Sequence, residues 1–290
     1  MASFLALLAA LAFALGTVLQ QKGTLETPAA EDDPRFLTQV LRRPVWLAGG
    51  ACQAAGWVLQ AVALDRGSLI VVQSLTSMSL VFALPLGARI TDQQITRRVW
   101  LGALAMVAGV VLLLSVGSPS GGTSSPDATA WWSAGLVCLA LVLTLSGMGR
   151  RHQGAAKALL FGAAAGVAYA LQACVTKQFV TLVGHGLSTV LTSWEVYVLV
   201  VSALVGLVFQ QSALRSGVLA PAMASANAVT LVASVVLGVA VFGETLTGGG
   251  GRQVPALLGL ALAVVGIALL ATPKPSDDAV REVTARLPEA

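Results

Sequence analysis

The sequence predicts an all-α, polytopic membrane protein of nine transmembrane helices arranged as a four-plus-one-plus-four inverted repeat. Three observations predict it. Charged residues make up 10% of the chain and hydrophobic residues 56%, with a mean hydropathy of +0.84; a soluble domain carries ~25% charged residues and needs them on its surface. The charges that do occur fall between apolar runs of the length a bilayer requires, about 20 residues per helix. The pattern of the first four runs recurs in the last four, with one run between the copies.

The charges mark the segment ends. Residues 1–21 are uncharged and stop at Lys22. Residues 45–64 lie between Arg43 and Asp65, and residues 67–88 between Arg66 and Arg89. Residues 99–116 follow Arg98 and enter a Gly/Ser/Pro linker at 117–126. Residues 131–149 precede Arg150-Arg151, and residues 158–176 lie between Lys157 and Lys177. Residues 196–214 lie between Glu195 and Arg215. Residues 216–243 precede Glu244, with Pro221 near the helix start, and residues 254–271 lead into a polar tail. In lipid each segment must satisfy its own backbone, and no barrel-type alternation is present, so all are expected to be helices. Pro85 is placed to kink the third.

The first segment has its basic residues after it rather than before, which argues for an uncleaved helix over a signal peptide. Lys and Arg concentrate in alternate loops: Lys22, Arg35, Arg42 and Arg43; Arg89, Arg97 and Arg98; Arg150, Arg151 and Lys157; Arg215; and Lys274, Arg281 and Arg286. The opposite side holds only Arg66, Lys177 and Arg252. Positive charge stays cytoplasmic, so the N-terminus is expected outside and the C-terminus inside, in the plasma (inner) membrane. The same placement accounts for the net charge of +4 without a nucleic-acid partner. Cys52, Cys138 and Cys174 sit in apolar runs without ligand spacing and suit helix packing rather than disulfides.

Residues 60–69 align with 210–219, pairing Gln60 with Gln210, Ala63-Leu64 with Ala213-Leu214 and Gly67 with Gly217. Leu101-Gly102 and Gly109 align with Leu258-Gly259 and Gly266, and residues 17–22 align loosely with 172–177. A single intervening helix turns the second copy over. The expected organisation is a first repeat at 1–116, a linker and central helix at 117–153, a second repeat at 154–273 and a cytoplasmic polar tail at 274–290.

These features resemble the drug/metabolite transporter superfamily, with EamA-like repeats, and within it the NIPA-type magnesium transporter branch. The residues that carry the resemblance are Gln20-Gln21-Lys22-Gly23, Trp46 and Gly50, Ala63-Leu64 with Gly67, Val72-Gln73-Ser74-Leu75, and Gly243-Glu244. The resemblance runs from about Ala2 to Pro273. It implies solute movement by alternating access between two repeats. The first half departs from it, with Gly87-Ala88-Arg89 where a Gly-Glu would stand.

Polar side chains inside spans usually face a bundle interior or an aqueous cavity. Gln73, Thr76 and Ser77 share one helix face, as do Asn227 and Thr230, and Asn227 aligns with Ser77. Thr17, Gln20 and Gln21 share a face of the first helix, matched by Gln172 and Thr176 in the sixth. Gln53 and Gln60 lie two turns apart, and Gln210 matches Gln60. Hydrogen bonding between helices is the other use of such residues. The set Thr17, Gln20, Gln60, Gln73, Thr76, Ser77, Gln172, Thr176, Gln210, Asn227 and Thr230 is the expected substrate-binding lining.

Glu195 and Glu244 stand at segment ends, where either could anchor a boundary or recruit a cation at an outer mouth. His152 and His185 have no partner at metal-ligand spacing, and no metal site is assigned. No nucleophile–base constellation, phosphate-cradling loop or nucleotide motif is visible, so neither an enzyme nor a cofactor is expected. Gly162 and Gly166 form a small-xxx-small pair suited to close packing within the chain or to a homodimer contact. The expected partners are the bilayer and a small polar solute or cation. A small-metabolite transporter ranks first, a magnesium or other divalent-cation transporter second, and a non-transporting scaffold or lipid-handling protein third.

Overall fold

The structure, a computed structural model, describes residues 1–26, 42–90, 97–117, 122–123, 126–183, 191–214, 219–245 and 253–270. The expected tail, the glycine run at 248–251, and Arg35, His185, Arg215 and Arg252 lie outside the described residues, as do the side chain of Pro221 and the basic residues of the tail. The described residues form ten α-helices: α1 (Ala2–Leu25), α2 (Pro44–Arg66), α3 (Leu69–Ser77), α4 (Ser79–Ile90), α5 (Arg97–Gly117), α6 (Ala128–Gly149), α7 (Gly154–Val183), α8 (Trp194–Leu214), α9 (Leu219–Phe242) and α10 (Gln253–Leu270). With α3 and α4 taken as one broken span, nine of these segments are long and apolar enough to cross a membrane.

Local sequence explains several helix ends. Pro44 opens α2 at a position where its missing N–H costs nothing. The Ser68 hydroxyl caps α3 by accepting the Val71 amide at 3.1 Å. Gly243, at φ +64°, ends α9 in a left-handed turn that brings the Glu244 amide to the Gly238 carbonyl at 3.0 Å.

The break between α3 and α4 falls at Met78, seven residues before the proline expected to cause it. There the Ser77 hydroxyl donates back to the Ser74 carbonyl at 2.7 Å, and the single Thr76 hydroxyl hydrogen is shared between the Gln73 carbonyl at 3.2 Å and Gln73 Oε1 at 3.0 Å. Such back-bonding competes with the helical ladder and bends it. The Met78 amide pairs with the Leu75 carbonyl, and Pro85 lies within α4.

Helix packing depends on small residues. α1 lies antiparallel on α2: a methyl group added to Gly16 would stand 2.9 Å from the Gly49 carbonyl oxygen, and one on Gly23 2.8 Å from the Trp46 Cβ. α7 packs on both α8 and α9. Gly162 meets Ala222 and Ser225, and Gly166 meets Ala226 and Val229, so α7 and α9 run parallel. The Gly162/Gly166 pair is therefore used inside the chain rather than presented to a second copy. α5 pairs antiparallel with α10 through Gly102 against Gly266 and Gly109 against Gly259. Under the alignment of Gly102 with Gly259 and Gly109 with Gly266, each of these two contacts maps onto the other.

Candidate functional site

A cavity of about 570 Å³ lies among α1, α2, α3, α7, α8 and α9 and reaches Ser79 of α4. The sequence-predicted residues Gln20, Gln60, Gln73, Thr76, Ser77, Gln172, Thr176, Gln210, Asn227 and Thr230 all line it. Thr17 does not: its hydroxyl donates to the Phe13 carbonyl at 2.8 Å and accepts from Gln53 Nε2 at 3.2 Å, holding α2 to α1. Gln53 itself lines the cavity, with Gln211, Trp57, Phe13 and Tyr169. None of the lining side chains is charged.

The wall is organised around Gln73, which is buried. Its Oε1 accepts from Gln60 Nε2 at 2.6 Å and from the Thr76 hydroxyl at 3.0 Å, and its Nε2 donates to Ser234 Oγ at 3.3 Å. Four polar groups from α2, α3 and α9 thus satisfy one another, as burial requires. Across the cavity Gln210 Nε2 reaches Met223 Sδ at 3.5 Å. Both contacts span thirteen residues, Gln60 to Gln73 and Gln210 to Met223. The Thr176 hydroxyl donates along its own helix to the Gln172 carbonyl at 2.7 Å, and the Thr230 hydroxyl is shared between the Ala226 carbonyl at 2.7 Å and the Gly166 carbonyl of α7 at 3.2 Å. Such bonds spend the donor hydrogen and leave the oxygen as an acceptor toward the cavity.

Two aromatic rings enter the lining through glycines. A methyl group on Gly56 would lie 2.6 Å from the Phe13 ring, and one on Gly206 2.5 Å from the Tyr169 ring. Each glycine leaves the space that an aromatic ring of the neighbouring helix occupies. Gly56 and Gly206 are also equivalent in the repeat alignment. Neither ring is legible as lining in the sequence, because an aromatic residue in a span is equally at home facing lipid.

Next to Thr176 along α7 stands Lys177, which forms an ion pair with Glu244. Glu244 is 1% exposed. It accepts from the Leu69 amide at 2.5 Å, the Ile70 amide at 3.0 Å and Lys177 Nζ at 2.5 Å. Gly238 makes room for it, since a methyl group there would stand 2.8 Å from Glu244 Oε2. A carboxylate on the first amides of α3 is stabilised by the helix N-terminus. Lys177 also lies 4.4 Å from the centre of the Phe242 ring, a cation–π contact. Read from sequence as an outer-mouth group, Glu244 is instead buried with both oxygens occupied. Lys177, read as a loop residue, lies inside α7.

Glu195 is 6% exposed and lies away from this cavity, in a second one between α6, α7 and α8. No group of three or more His, Cys, Asp or Glu side chains among the described residues could hold a metal ion.

The fold and cavity define a multi-pass helical membrane protein with a polar, uncharged interior site. The chain is 30% identical over 248 residues to the uncharacterized protein Cgl0250/cg0304 of Corynebacterium glutamicum, covering 84% of this chain and 85% of the relative. It belongs to the same family as that protein. It is also 22% identical over 268 residues to the probable magnesium transporter NIPA9 of Arabidopsis thaliana, covering 89% of this chain and 78% of that one. No family model matches the chain, and no solved structure matches it significantly.

Proposed function

We propose that the protein is a secondary transporter that moves a small polar solute through the central cavity by alternating access between two inverted halves. The observation that carries this reading is the cavity lining itself: amides and hydroxyls from both halves converge on one uncharged space. Polar groups are costly at membrane depth, and transporters of inverted-repeat type hold their sites at the interface between repeats. The contacts that map onto one another support the inverted repeat: Gly102–Gly266 with Gly109–Gly259, and Gln60–Gln73 with Gln210–Met223.

A second reading, favoured by the similarity to the Arabidopsis protein, takes magnesium as the solute. Magnesium gives up its water reluctantly. A lining of amide and hydroxyl oxygens suits the ion with its water shell intact, each water donating to a neutral acceptor. The lining is without carboxylates that would replace that shell.

Reconstituted vesicles carrying an internal magnesium dye, and a parallel panel of labelled neutral and zwitterionic metabolites, test both readings. Transport of any panel member that falls in Asn227→Ala and Gln172→Ala supports the cavity as the route, and the member transported decides the solute. Loss of neither variant's activity, in protein that still transports, removes the central cavity from the pathway.

A further inference from the structure

We propose that the second cavity, between α6, α7 and α8, binds the primary ammonium group of an amphiphilic amine whose apolar chain lies in the adjoining groove. This cavity measures about 500 Å³ and is lined by Trp131, Trp132, Trp194, Gln178 and Glu195 among others. The Glu195 carboxylate belongs to a buried residue, and among the described residues no hydrogen bond or ion pair engages it. Its position in the first turn of α8 explains why a carboxylate is tolerated at that helix start. That position does not supply a counter-charge, and a buried charge needs one.

Gln178, in the same wall, has a buried Oε1 without a hydrogen-bond partner among the described residues. Two acceptors, one of them charged, therefore line one space among indole rings, and the described residues place no cation there. The indoles around them favour a cation: Trp131 and Trp194 meet edge to face at 5.1 Å and 71°, and cations lie well on indole faces. The unpaired amide oxygen selects an ammonium that still has hydrogens to give.

The cavity continues into a groove of about 260 Å³ that shares Gly135, Leu171 and Val198 with it and runs on to Val142 and Val205. That groove is apolar except for Ser202 and Tyr197. Trp132, 74% exposed, puts this wall at the surface of the helix bundle, where an amphiphile held in the bilayer would approach. Neither space is lined by Lys or Arg, so a phosphate has no counter-charge there. The fitting ligand is a hydrophobic amine rather than a phospholipid.

The test is titration of the full chain, in phosphatidylcholine nanodiscs, with dodecylammonium, dodecyltrimethylammonium and dodecanoate, read by tryptophan fluorescence. Dodecylammonium should saturate the signal, and Glu195→Gln should bind it about ten-fold more weakly. Gln178→Leu should lose the preference for the primary over the quaternary ammonium. Where Glu195→Gln does not elute as the parent does, Trp131→Phe, which keeps a ring in the packing, should show weaker binding instead. Unchanged dodecylammonium binding in the folded variant, or an equal response to dodecanoate, overturns the site. Displacement by phosphatidylethanolamine in the discs overturns the exclusion of phospholipid. None of these outcomes depends on what the central cavity transports.

Discussion

The Glu244 carboxylate caps the helix that begins at Leu69, accepting its amide at 2.5 Å across 175 residues of chain. Through Lys177 the same carboxylate holds α7, so three helices meet on one side chain. Removing one partner of a buried pair leaves the other charge uncompensated, a loss of about 3–5 kcal/mol. Glu244→Ala should therefore lower the Tm in detergent strongly. Lys177→Met combined with Glu244→Gln should recover most of the loss, since the neutral pair leaves no lone charge.

Glycine substitutions should divide by what surrounds them. Gly109→Ala and Gly266→Ala drive a methyl group into the facing backbone of α10 or α5, an overpacking loss of about 1–3 kcal/mol each. Gly147→Ala meets nothing within 4 Å and should raise stability by up to ~1 kcal/mol through helix propensity. Thermal melts of the three variants check the contrast.

Gln73→Leu should destabilise by about 1–3 kcal/mol, because Gln60 Nε2 and the buried Ser234 hydroxyl lose their partner. Met223→Leu, at the equivalent position, should cost less than about 1.5 kcal/mol, since it removes a weak sulfur acceptor and conserves volume. Equal melting temperatures for the two variants would contradict the central role of Gln73 in the wall.

Orientation follows from the basic loops. In a cysteine-free background, Ser120→Cys should react with a membrane-impermeant maleimide added to intact cells, and Asp277→Cys should react only after lysis. The reverse pattern would place the basic loops outside.

The spans were readable because their ends carry charge, and polar residues at helical spacing identified most of the cavity wall. What sequence could not supply were pairings across distant chain. Lys177 looks like a loop boundary until Glu244 is seen beside it, which lets α7 continue to Val183. Thr17 has the periodicity of its neighbours, yet its hydroxyl faces Gln53 in the α1–α2 contact. The bend at Met78 comes from hydroxyls whose bonding direction no spacing rule fixes, whereas Pro85, the conspicuous residue, sits without breaking α4. Glu195 and the surrounding indoles look like interfacial anchors one at a time, and only their convergence makes a cavity.

The α5–α10 contact has a consequence for biosynthesis. α5 has little else to pack on, and four further helices must be made before α10 exists. Throughout that interval the nascent chain carries a helix whose glycine face is matched only by backbone not yet translated. A premature stop just before Gln253 would leave that face permanently open to lipid, offering quality-control machinery a ready mark of an unfinished protein.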